Sequence, residues 1–408
     1  MKIRPLHQNV KHDFPWFKHN PGWTYLDSSA SALKPQCVID EINDYYAKWS
    51  TNPHNTDSVF TYRIFARITQ AREKVAKLFN GDPKEFVFTS GATESLNLIA
   101  HGLQPFIKAG DEIVLTYGEH GSNLLPWFNL CDNTKAKIIY AGAKHTLPTA
   151  TAIINAVTSK TKIVSFVNIS NLLGYEIDIK EVCRGVKKKN KNVIVIVDAT
   201  QSVPHARLDV KNINIDFFVC SGYKMGAATG TGLAYIKSKW LNQIKPIRFG
   251  GSMNNQIHPT NFTYAALPWK FEGGTPHTAG ILSWIPSIDY LNAYGWERMH
   301  KHELALKQYI NQEFAKIKNL EYINPDAIYP IVLFNIKGVS AQDLAGYLGH
   351  KKIIVRAGLA CAKLSHYITD VDAAVRASFY IYNDTKDVDR LVKALKNFKP
   401  GDELKHVL

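Results

Sequence analysis

Residues 193–201 read VIVIVDATQ, a run of five β-branched residues followed by Asp198. An apolar run without alternating polar positions is typical of a strand that is buried on both faces of a parallel sheet. Such sheets bind their ligands at the carboxyl ends of the strands. The stretch therefore predicts an α/β fold and places the carboxylate of Asp198 where that fold holds a ligand. An aspartate that only caps the following turn would occupy the same position in the sequence.

Six other short apolar runs share this character, and helical stretches such as Thr93–Lys108 and Ile179–Lys189 lie between some of them. Strands and helices that alternate in this way predict a mostly parallel sheet flanked by helices. Together with Val193–Asp198, the runs predict a seven-stranded sheet, whose other strands are Glu85–Thr89, Glu112–Thr116, Lys137–Tyr140, Lys162–Asn168, Asp216–Cys220 and Leu233–Lys237.

The pattern changes after residue 290, where the long helical stretch Trp296–Ile317 begins. Short apolar runs and a helical stretch follow it and predict a smaller α/β unit, with strands at Ile331–Ile336, Lys352–Arg356 and Val375–Tyr380. We expect a large domain over residues 21–290 and a small C-terminal domain over residues 291–408. Residues 1–20 are expected to pack on the small domain or across a subunit interface.

The formal net charge of +14 raises the question of nucleic-acid binding, but the lysines are spread along the chain. The densest cluster, within residues 187–191, ends a predicted helix, where cations interact favourably with the helix dipole. We interpret the charge as a feature of solubility. A nucleic-acid-binding function rests on the net charge alone and has little support.

Cysteine usage and the apolar runs indicate the compartment. The five cysteines, Cys37, Cys131, Cys183, Cys220 and Cys361, are odd in number and never form a C-x-x-C pair. This pattern argues against disulfides and zinc knuckles and favours a reducing environment. No apolar run reaches the roughly 18 residues of a membrane span, and the first residues lack a secretory signal. We expect a cytoplasmic protein without a membrane, nucleic-acid or metal partner.

Two segments next to predicted strands favour a bound cofactor. Residues 220–226 read CSGYKMG and place Lys224 at a strand end, where a lysine can form a Schiff base with an aldehyde. Residues 90–95 read SGATES and open a helix whose free N–H groups can hold a phosphate. An exposed turn lysine and an ordinary helix cap are the simpler interpretations.

His120 also follows a predicted strand and can stack on a planar ring, although a lone histidine is more often structural. An acid, a lysine, a phosphate cradle and a ring partner are together the set that a pyridoxal-phosphate site needs. The acid would keep the pyridine nitrogen protonated, so that the ring draws electrons from the substrate Cα.

Near the C-terminus, Cys361 follows a strand and has Arg356 and Lys363 nearby. Neighbouring cations favour the thiolate, whereas a small buried hydrophobe is the usual role of an isolated cysteine. Arg376 lies in an otherwise apolar strand. It can clamp a substrate carboxylate or take part in a structural ion pair.

Taken in order, these motifs resemble the cysteine desulfurase family, in particular its SufS-like group, within the fold-type I pyridoxal-phosphate enzymes. The similarity runs from Tyr25 to about Leu395, nearly the whole chain. The motifs that carry it are TSGATE (89–94), EH (119–120), SNLLG (170–174), DATQ (198–201), SGYKM (221–225), EGGTP (272–276), RAG (356–358) with Cys361, and RASF (376–379).

The resemblance implies a homodimeric transferase that uses pyridoxal 5'-phosphate to convert L-cysteine to L-alanine. The sulfur would remain as a persulfide on Cys361 for an acceptor protein of iron–sulfur cluster assembly or thiolation. The catalytic residues would be Lys224, which binds the cofactor and moves the Cα proton, Cys361 and His120.

The resemblance also implies a binding role for each matching position. His120 would stack on the cofactor ring, Asp198 would pair with its nitrogen, and Gln201 would contact its ring oxygen. The phosphate would be held by Ala92, Thr93, Ser221, Tyr223 and, from a second subunit, Thr275. The substrate would be held by Asn171, Arg356 and Arg376.

The chain departs from the family pattern at several positions. Tyr223 replaces the histidine that usually precedes the lysine, and Gly121-Ser122 replaces His-Ala. Residues 52–56, NPHNT, lack an arginine that the family has near the substrate. Gln342 replaces a histidine that can engage the zinc of an acceptor protein. We expect weaker phosphate retention and doubtful transfer by that zinc route.

Two other functions stay open at this point. A selenocysteine lyase or another pyridoxal-phosphate Cα/Cβ-lyase would use the same scaffold without needing the thiol. A catalytically inactive relative could serve as a scaffold for iron–sulfur assembly, although it would need none of Lys224, Asp198, His120 and Cys361.

Overall fold

The computed structural model describes residues 10–54, 56–399 and 401–402. The β-strands in this part of the chain are β1 (Thr24–Tyr25), β2 (Phe86–Thr89), β3 (Glu112–Thr116), β4 (Lys137–Ala141), β5 (Thr161–Val167), β6 (Ile194–Asp198), β7 (Phe217–Ser221), β8 (Gly232–Ile236), β9 (Asn254–Ile257), β10 (Phe262–Tyr264), β11 (Leu320–Tyr322), β12 (Ile331–Ile336), β13 (Ile353–Ile354), β14 (Arg356–Ala357) and β15 (Val375–Ser378).

The α-helices in the same part of the chain are α1 (Pro15–His19), α2 (Gln36–Asp44), α3 (Val59–Phe79), α4 (Ala92–Leu103), α5 (Leu125–Thr134), α6 (Ala150–Ala156), α7 (Ile179–Lys189), α8 (Ser238–Leu241), α9 (Thr278–Leu282), α10 (Trp284–Tyr294), α11 (Trp296–Phe314), α12 (Ala341–His350), α13 (His366–Thr369) and α14 (Thr385–Asn397). None of the helices in the described part of the chain combines the length and the hydropathy that a membrane span requires.

The main sheet has seven strands in the order β2-β8-β7-β6-β5-β3-β4. Only β8 is antiparallel to its neighbours, β2 and β7. The other neighbouring pairs are parallel. Each strand lies within one residue of the bounds that its apolar run predicts. The predicted fold class, a mostly parallel seven-stranded α/β sheet, is confirmed.

Strand β6 shows why the run VIVIV contains no polar position. Successive side chains of a strand point to opposite faces of the sheet. Val195 and Val197 lie in a core cluster that includes apolar residues of α7, whereas Ile194 and Ile196 lie in a second cluster with residues of α4 and α5. Both faces are therefore covered by helices, and every position of the strand is buried.

A second sheet, in the order β11-β12-β15-β14, is antiparallel throughout. The predicted strand Lys352–Arg356 is wrong as a continuous element. Its first half, β13, pairs in parallel with β1 near the N-terminus, whereas Arg356 begins β14 and pairs with β15. The chain changes partners between the two halves, which the local sequence does not reveal.

The segment that precedes β1 contacts the C-terminal part of the chain. Lys11 forms an ion pair of 2.8 Å with Asp387 on α14. Residues 1–9 of the predicted segment 1–20 lie outside the described residues. The division into domains at residues 290 and 291 stays a prediction.

A close backbone approach shapes the edge of the main sheet at the carboxyl end of β2. A Cβ atom on Gly232, at the start of β8, would lie 2.5 Å from the Cα of Gly91. Gly91 itself has a φ of 157° and precedes α4, so glycine is needed on both sides of this contact. The N-terminus of α4 is thereby held at the same edge as the ends of β6 and β7.

Candidate active site

The carboxyl ends of β3, β5, β6 and β7 meet the start of α4 at a cleft. Four residues that sequence reasoning did not assign to the site, Ser122, Val167, Ile169 and Thr200, also line the cleft. The predicted site residues that line it are Ala92, Thr93, His120, Asn171, Asp198, Gln201, Ser221, Tyr223 and Lys224. The strand ends thus bring together nine of the thirteen residues predicted from separate motifs.

Lys224 lies on a short turn that follows β7, and its amine donates to the backbone carbonyl of Ser29. Burial lowers the pKa of Lys224 to about 7, with a further contribution from the charge of Arg376. Its amine is therefore largely uncharged just above neutral pH and is able to attack an aldehyde. The alternative of an exposed turn lysine is wrong, because the residue is buried.

Asp198 ends β6 and is buried. Its Oδ1 accepts a hydrogen bond of 3.0 Å from the backbone N–H of Thr200, so the capping contact that the simpler interpretation proposed is present. Around it, three buried oxygens have no hydrogen-bond donor among the described residues: Asn171 Oδ1, Thr200 Oγ1 and Gln201 Oε1. Buried polar atoms are normally paired, so this set fits a polar ligand in the cleft.

The part of the cleft at the start of α4 suits a phosphate. The helix α4 begins at Ala92, whose N–H donates to Ser221 Oγ at 2.9 Å. The hydroxyl of Thr93 is 2.7 Å from that of Ser122. Backbone N–H groups and hydroxyls at the start of a twelve-residue helix form a favourable anion site.

The side chain of His120 is held by Ser122. Its Nδ1 accepts a hydrogen bond of 3.1 Å from the backbone N–H of Ser122, and the hydroxyl of Ser122 lies at the same distance. Burial lowers the pKa of His120, which favours the uncharged ring. Ser122, one of the departures from the family pattern, therefore links the ring of His120 to Thr93 on the phosphate side.

The buried carboxyl group of Glu119 supports the loop that carries His120. Glu119 is fully buried, and its two oxygens accept hydrogen bonds from Thr116 at 2.5 Å and Asn123 at 2.7 Å. Asn123 in turn accepts from the ring N–H of Trp127 at 2.9 Å. Burial raises the pKa of Glu119 to about 8, so the carboxyl group is protonated at neutral pH.

Cys361 does not line the cleft, but its loop contacts Gly121 and Asn171 at one side of it, which we call the mouth of the cleft. It is exposed, and both it and Ala360 have positive φ values, 63° and 44°. Two hydrogen bonds hold this unusual loop: Gly121 N–H donates to the carbonyl of Cys361 at 2.9 Å, and the Asn171 amide donates to that of Ala360 at 3.0 Å. The backbone that carries the thiol is thus tied to the residue after His120.

Arg376 is buried, and two of its guanidinium nitrogens donate hydrogen bonds within the protein. Nη2 donates to Asp27 at 2.5 Å and Nη1 donates to the carbonyl of Asn171 at 2.9 Å. The structural ion pair that sequence reasoning left open is therefore present. Arg356 is exposed and makes no ion pair within the described ranges.

Thr275 is separated from the cleft of its own chain. It is exposed and lies in a groove with Ser90, Glu94 and Arg248. The sequence resemblance assigned it to the site of a second subunit, and that role stays a prediction. The departure at Asn55 lies outside the described residues.

Residues 24–391 match the family model of class-V aminotransferases. The chain belongs to the class-V aminotransferase family. A protein of Ureaplasma parvum named a probable cysteine desulfurase is 47% identical over 400 residues, which cover 98% of this chain and 100% of that protein. A second one, from Halalkalibacterium halodurans, is 36% identical over 92% of this chain and 93% of its own length.

Solved structures of cysteine desulfurases have the same fold. A cysteine desulfurase from Escherichia coli superposes with a TM-score of 0.89 at 30% identity, over 98% of this chain and 99% of that one. The apo cysteine desulfurase of Thermococcus onnurineus gives a TM-score of 0.90 at 27% identity, over 97% and 98%. The relationship to cysteine desulfurases that the motifs predict is confirmed; membership of the SufS-like group stays a prediction.

We predict that the cofactor-free protein takes up pyridoxal phosphate with a rate that reaches a plateau above about pH 7. The amine of Lys224 must lose its proton before it attacks the aldehyde, and burial lowers its pKa to about 7. The absorbance of the bound cofactor, followed by stopped flow between pH 5 and about pH 10, measures this rate. Lys224→Ala is the control and should show no covalent uptake. A rate that keeps rising towards pH 10 would contradict the prediction.

Proposed function

We propose that this protein is a cysteine desulfurase that uses pyridoxal phosphate and carries the sulfur of L-cysteine on Cys361. One observation carries the proposal: the buried amine of Lys224 and the carboxylate of Asp198 face one cleft, and the loop bearing an exposed thiol is tied to that cleft. An amine and an acid are what the cofactor requires, and the thiol is what the sulfur requires.

The residues around the cleft fit the cofactor. Lys224 would form the covalent link, Asp198 would pair with the pyridine nitrogen, and His120 would lie against the ring. The phosphate would bind at the start of α4, to Ala92 and Thr93, with Ser221 and Tyr223 beside them. When bound, pyridoxal phosphate supplies an electron sink that makes the Cα proton of the substrate labile.

The protein's own residues then handle protons and sulfur. Lys224, uncharged near neutral pH, would accept the Cα proton and return a proton when alanine is made. The thiolate of Cys361 would form a bond to the substrate sulfur while the bond between that sulfur and Cβ breaks. The balance is L-cysteine plus the Cys361 thiol giving L-alanine plus the Cys361 persulfide.

Cations would hold the substrate carboxylate. Arg356 is exposed at the mouth and has no ion-pair partner among the described residues, so its guanidinium is free to attract an anion. Arg376 is engaged by Asp27 and by the carbonyl of Asn171, and it supplies fixed positive charge nearby. The Oδ1 atom of Asn171, which has no donor among those residues, would accept from the substrate ammonium. Asn171 would hold the carboxylate through its NH₂ group, once that group turns from the Ala360 carbonyl.

We infer that the functional unit is a homodimer. Thr275 lies in a separate groove of its own chain, where it is available to a second copy. The first turn of α3 also exposes an apolar patch, since Val59 is 83% exposed, Phe60 51% and Tyr62 61%. Exposed apolar area of this kind is typical of an interface.

The sulfur acceptor would be a protein of iron–sulfur cluster assembly or thiolation in the cytoplasm. All five cysteines are free, which fits a reducing compartment. Cys361 is exposed, so an acceptor that approaches the mouth of the cleft can reach its thiol. Gln342 is exposed near the start of α12, and an amide is a poor zinc ligand, so the acceptor would bind without a zinc contact there.

We predict that the cofactor-loaded protein forms alanine from L-cysteine and gains one sulfur on Cys361. Amino-acid analysis measures the alanine, and peptide mass spectrometry locates the sulfur. Lys224→Ala and Cys361→Ser should each lower desulfuration at least about a thousandfold. Cys37→Ser changes the other exposed cysteine and is the matched control, which should leave the activity unchanged.

Two results of this experiment would redirect the assignment. Activity that survives in Cys361→Ser, without a persulfide, would identify a lyase. A protein that binds no pyridoxal phosphate would fit a scaffold for iron–sulfur assembly.

We predict that Tyr223→His binds pyridoxal phosphate about five- to tenfold more tightly near pH 6, where an imidazole is largely protonated. Burial raises the pKa of Tyr223, so the phenol stays neutral and can offer the phosphate only an uncharged donor. Equilibrium titration of the cofactor by absorbance measures the affinity. Tyr223→Phe, which removes the donor, should bind more weakly than the wild type, and an unchanged affinity in Tyr223→His would contradict the prediction.

We predict a particle mass of twice the 45.9 kDa of the chain in light scattering. Val59→Asp/Phe60→Asp places charge in the apolar patch and should shift the mass towards that of one chain. Lys301→Asp on α11 is the control for added negative charge, since Lys301 forms only an exposed pair with Glu297. A wild-type protein that stays at 45.9 kDa would refute the dimer.

A further inference from the structure

Behind the cleft, Gln201 is the first of three buried polar side chains in a hydrogen-bonded row, and none of the proposed contacts uses the other two. Gln201 Nε2 lies 3.1 Å from His205 Nε2, and His205 Nδ1 lies 2.7 Å from Glu303 Oε1. The three residues are 4%, 3% and 0% exposed. Glu303 is on α11 and His205 follows β6, so this row of side chains connects the cleft to a helix of the C-terminal part of the protein.

Among the described residues, His205 is the hydrogen-bond partner of the Glu303 side chain, through Oε1. The second oxygen, Oε2, has no hydrogen-bond donor within the described ranges. The rings of Tyr329 and Tyr380 pack against His205 at 5.2 and 5.6 Å, but their hydroxyls donate to Glu176 and to the Pro204 carbonyl. A buried carboxyl group without a hydrogen-bond partner is costly, so the contact with Nδ1 fixes the position of the His205 imidazole.

The contact with His205 sets the direction of the Gln201 amide. The amide nitrogen faces His205 Nε2, and Oε1 has no donor among the described residues. An N–H group at Nε2 would instead donate to an acceptor, which is the amide oxygen. Turning the amide by half a turn exchanges two groups of equal size and gives Oε1 its donor. The NH₂ group then faces the cleft.

We propose that Glu303 and His205 are positioning residues that turn the NH₂ group of Gln201 towards the ring oxygen of pyridoxal phosphate. This inference rests on the proposed function and deepens it. A donor at this place stabilises the anionic ring oxygen relative to the protonated one, and it adds a charge-assisted hydrogen bond to the bound cofactor.

The test replaces His205 and Glu303 together, so that neither residue is left buried without its partner. His205→Phe/Glu303→Leu replaces it by apolar groups of similar size, an exchange that is often neutral for stability. We expect the absorption spectrum of the bound cofactor to shift towards the form with a protonated ring oxygen. We also expect about tenfold weaker binding of pyridoxal phosphate. Tyr329→Phe is the control. It keeps a ring against His205 and removes no hydrogen bond of Gln201, His205 or Glu303, so it should behave as the wild type.

A second background separates positioning from general packing. In Gln201→Leu there is no amide to orient, so adding His205→Phe/Glu303→Leu should change neither spectrum nor affinity further. Additive losses in that background would overturn the proposal. If the double variant does not fold, Glu303→Gln replaces it, and a smaller shift in the same direction is expected because an amide holds the His205 imidazole less strongly than a carboxyl group does.

The outcomes distinguish this inference from the proposed function. A wild-type protein that binds pyridoxal phosphate through Lys224, together with folded variants of unchanged spectrum and affinity, would refute the positioning role alone. A wild-type protein that binds no pyridoxal phosphate would refute the proposed function and this inference with it.

Discussion

Burial of both faces of the main sheet is the constraint on which the site depends. Helices cover each face, so a polar group on β6 has access to a ligand only where the strand ends, at Asp198. The same holds for Ser221 at the end of β7. Since these strands are parallel, their carboxyl ends lie at one edge. The contact between Gly91 and Gly232 brings the start of α4 to that edge as well.

Desolvation at this edge then sets the charges. It lowers the pKa of Lys224 to about 7 and raises that of Glu119 to about 8, because burial opposes the charged form of acids and bases alike. The lysine therefore becomes a nucleophile near neutral pH, and the glutamic acid becomes a neutral support for the loop of His120. Burial thus favours the uncharged form of both the reactive amine of Lys224 and the carboxyl group of Glu119 that supports the loop beside it.

The thiol of Cys361 lies in a more exposed environment than the buried residues of the cleft. Cys361 is exposed on a loop whose left-handed residues are held by hydrogen bonds to Gly121 and Asn171. A left-handed conformation costs about 1–2 kcal/mol for a residue other than glycine, so these contacts offset a real strain. The arrangement fixes the backbone that carries the thiol at the mouth of the cleft, where the exposed side chain is accessible from outside.

The sequence by itself determined the seven strands and most of the cleft, because each strand is a local apolar run and each polar residue such as Asp198 or Lys224 follows one. Only the tertiary structure decided the partners of Arg376 and His205. Asp27 is 349 positions from Arg376, and Glu303 is 98 positions from His205. No local pattern distinguishes such a carboxylate from one that faces solvent. Its role depends on burial, which arises only when distant segments of the folded chain pack together.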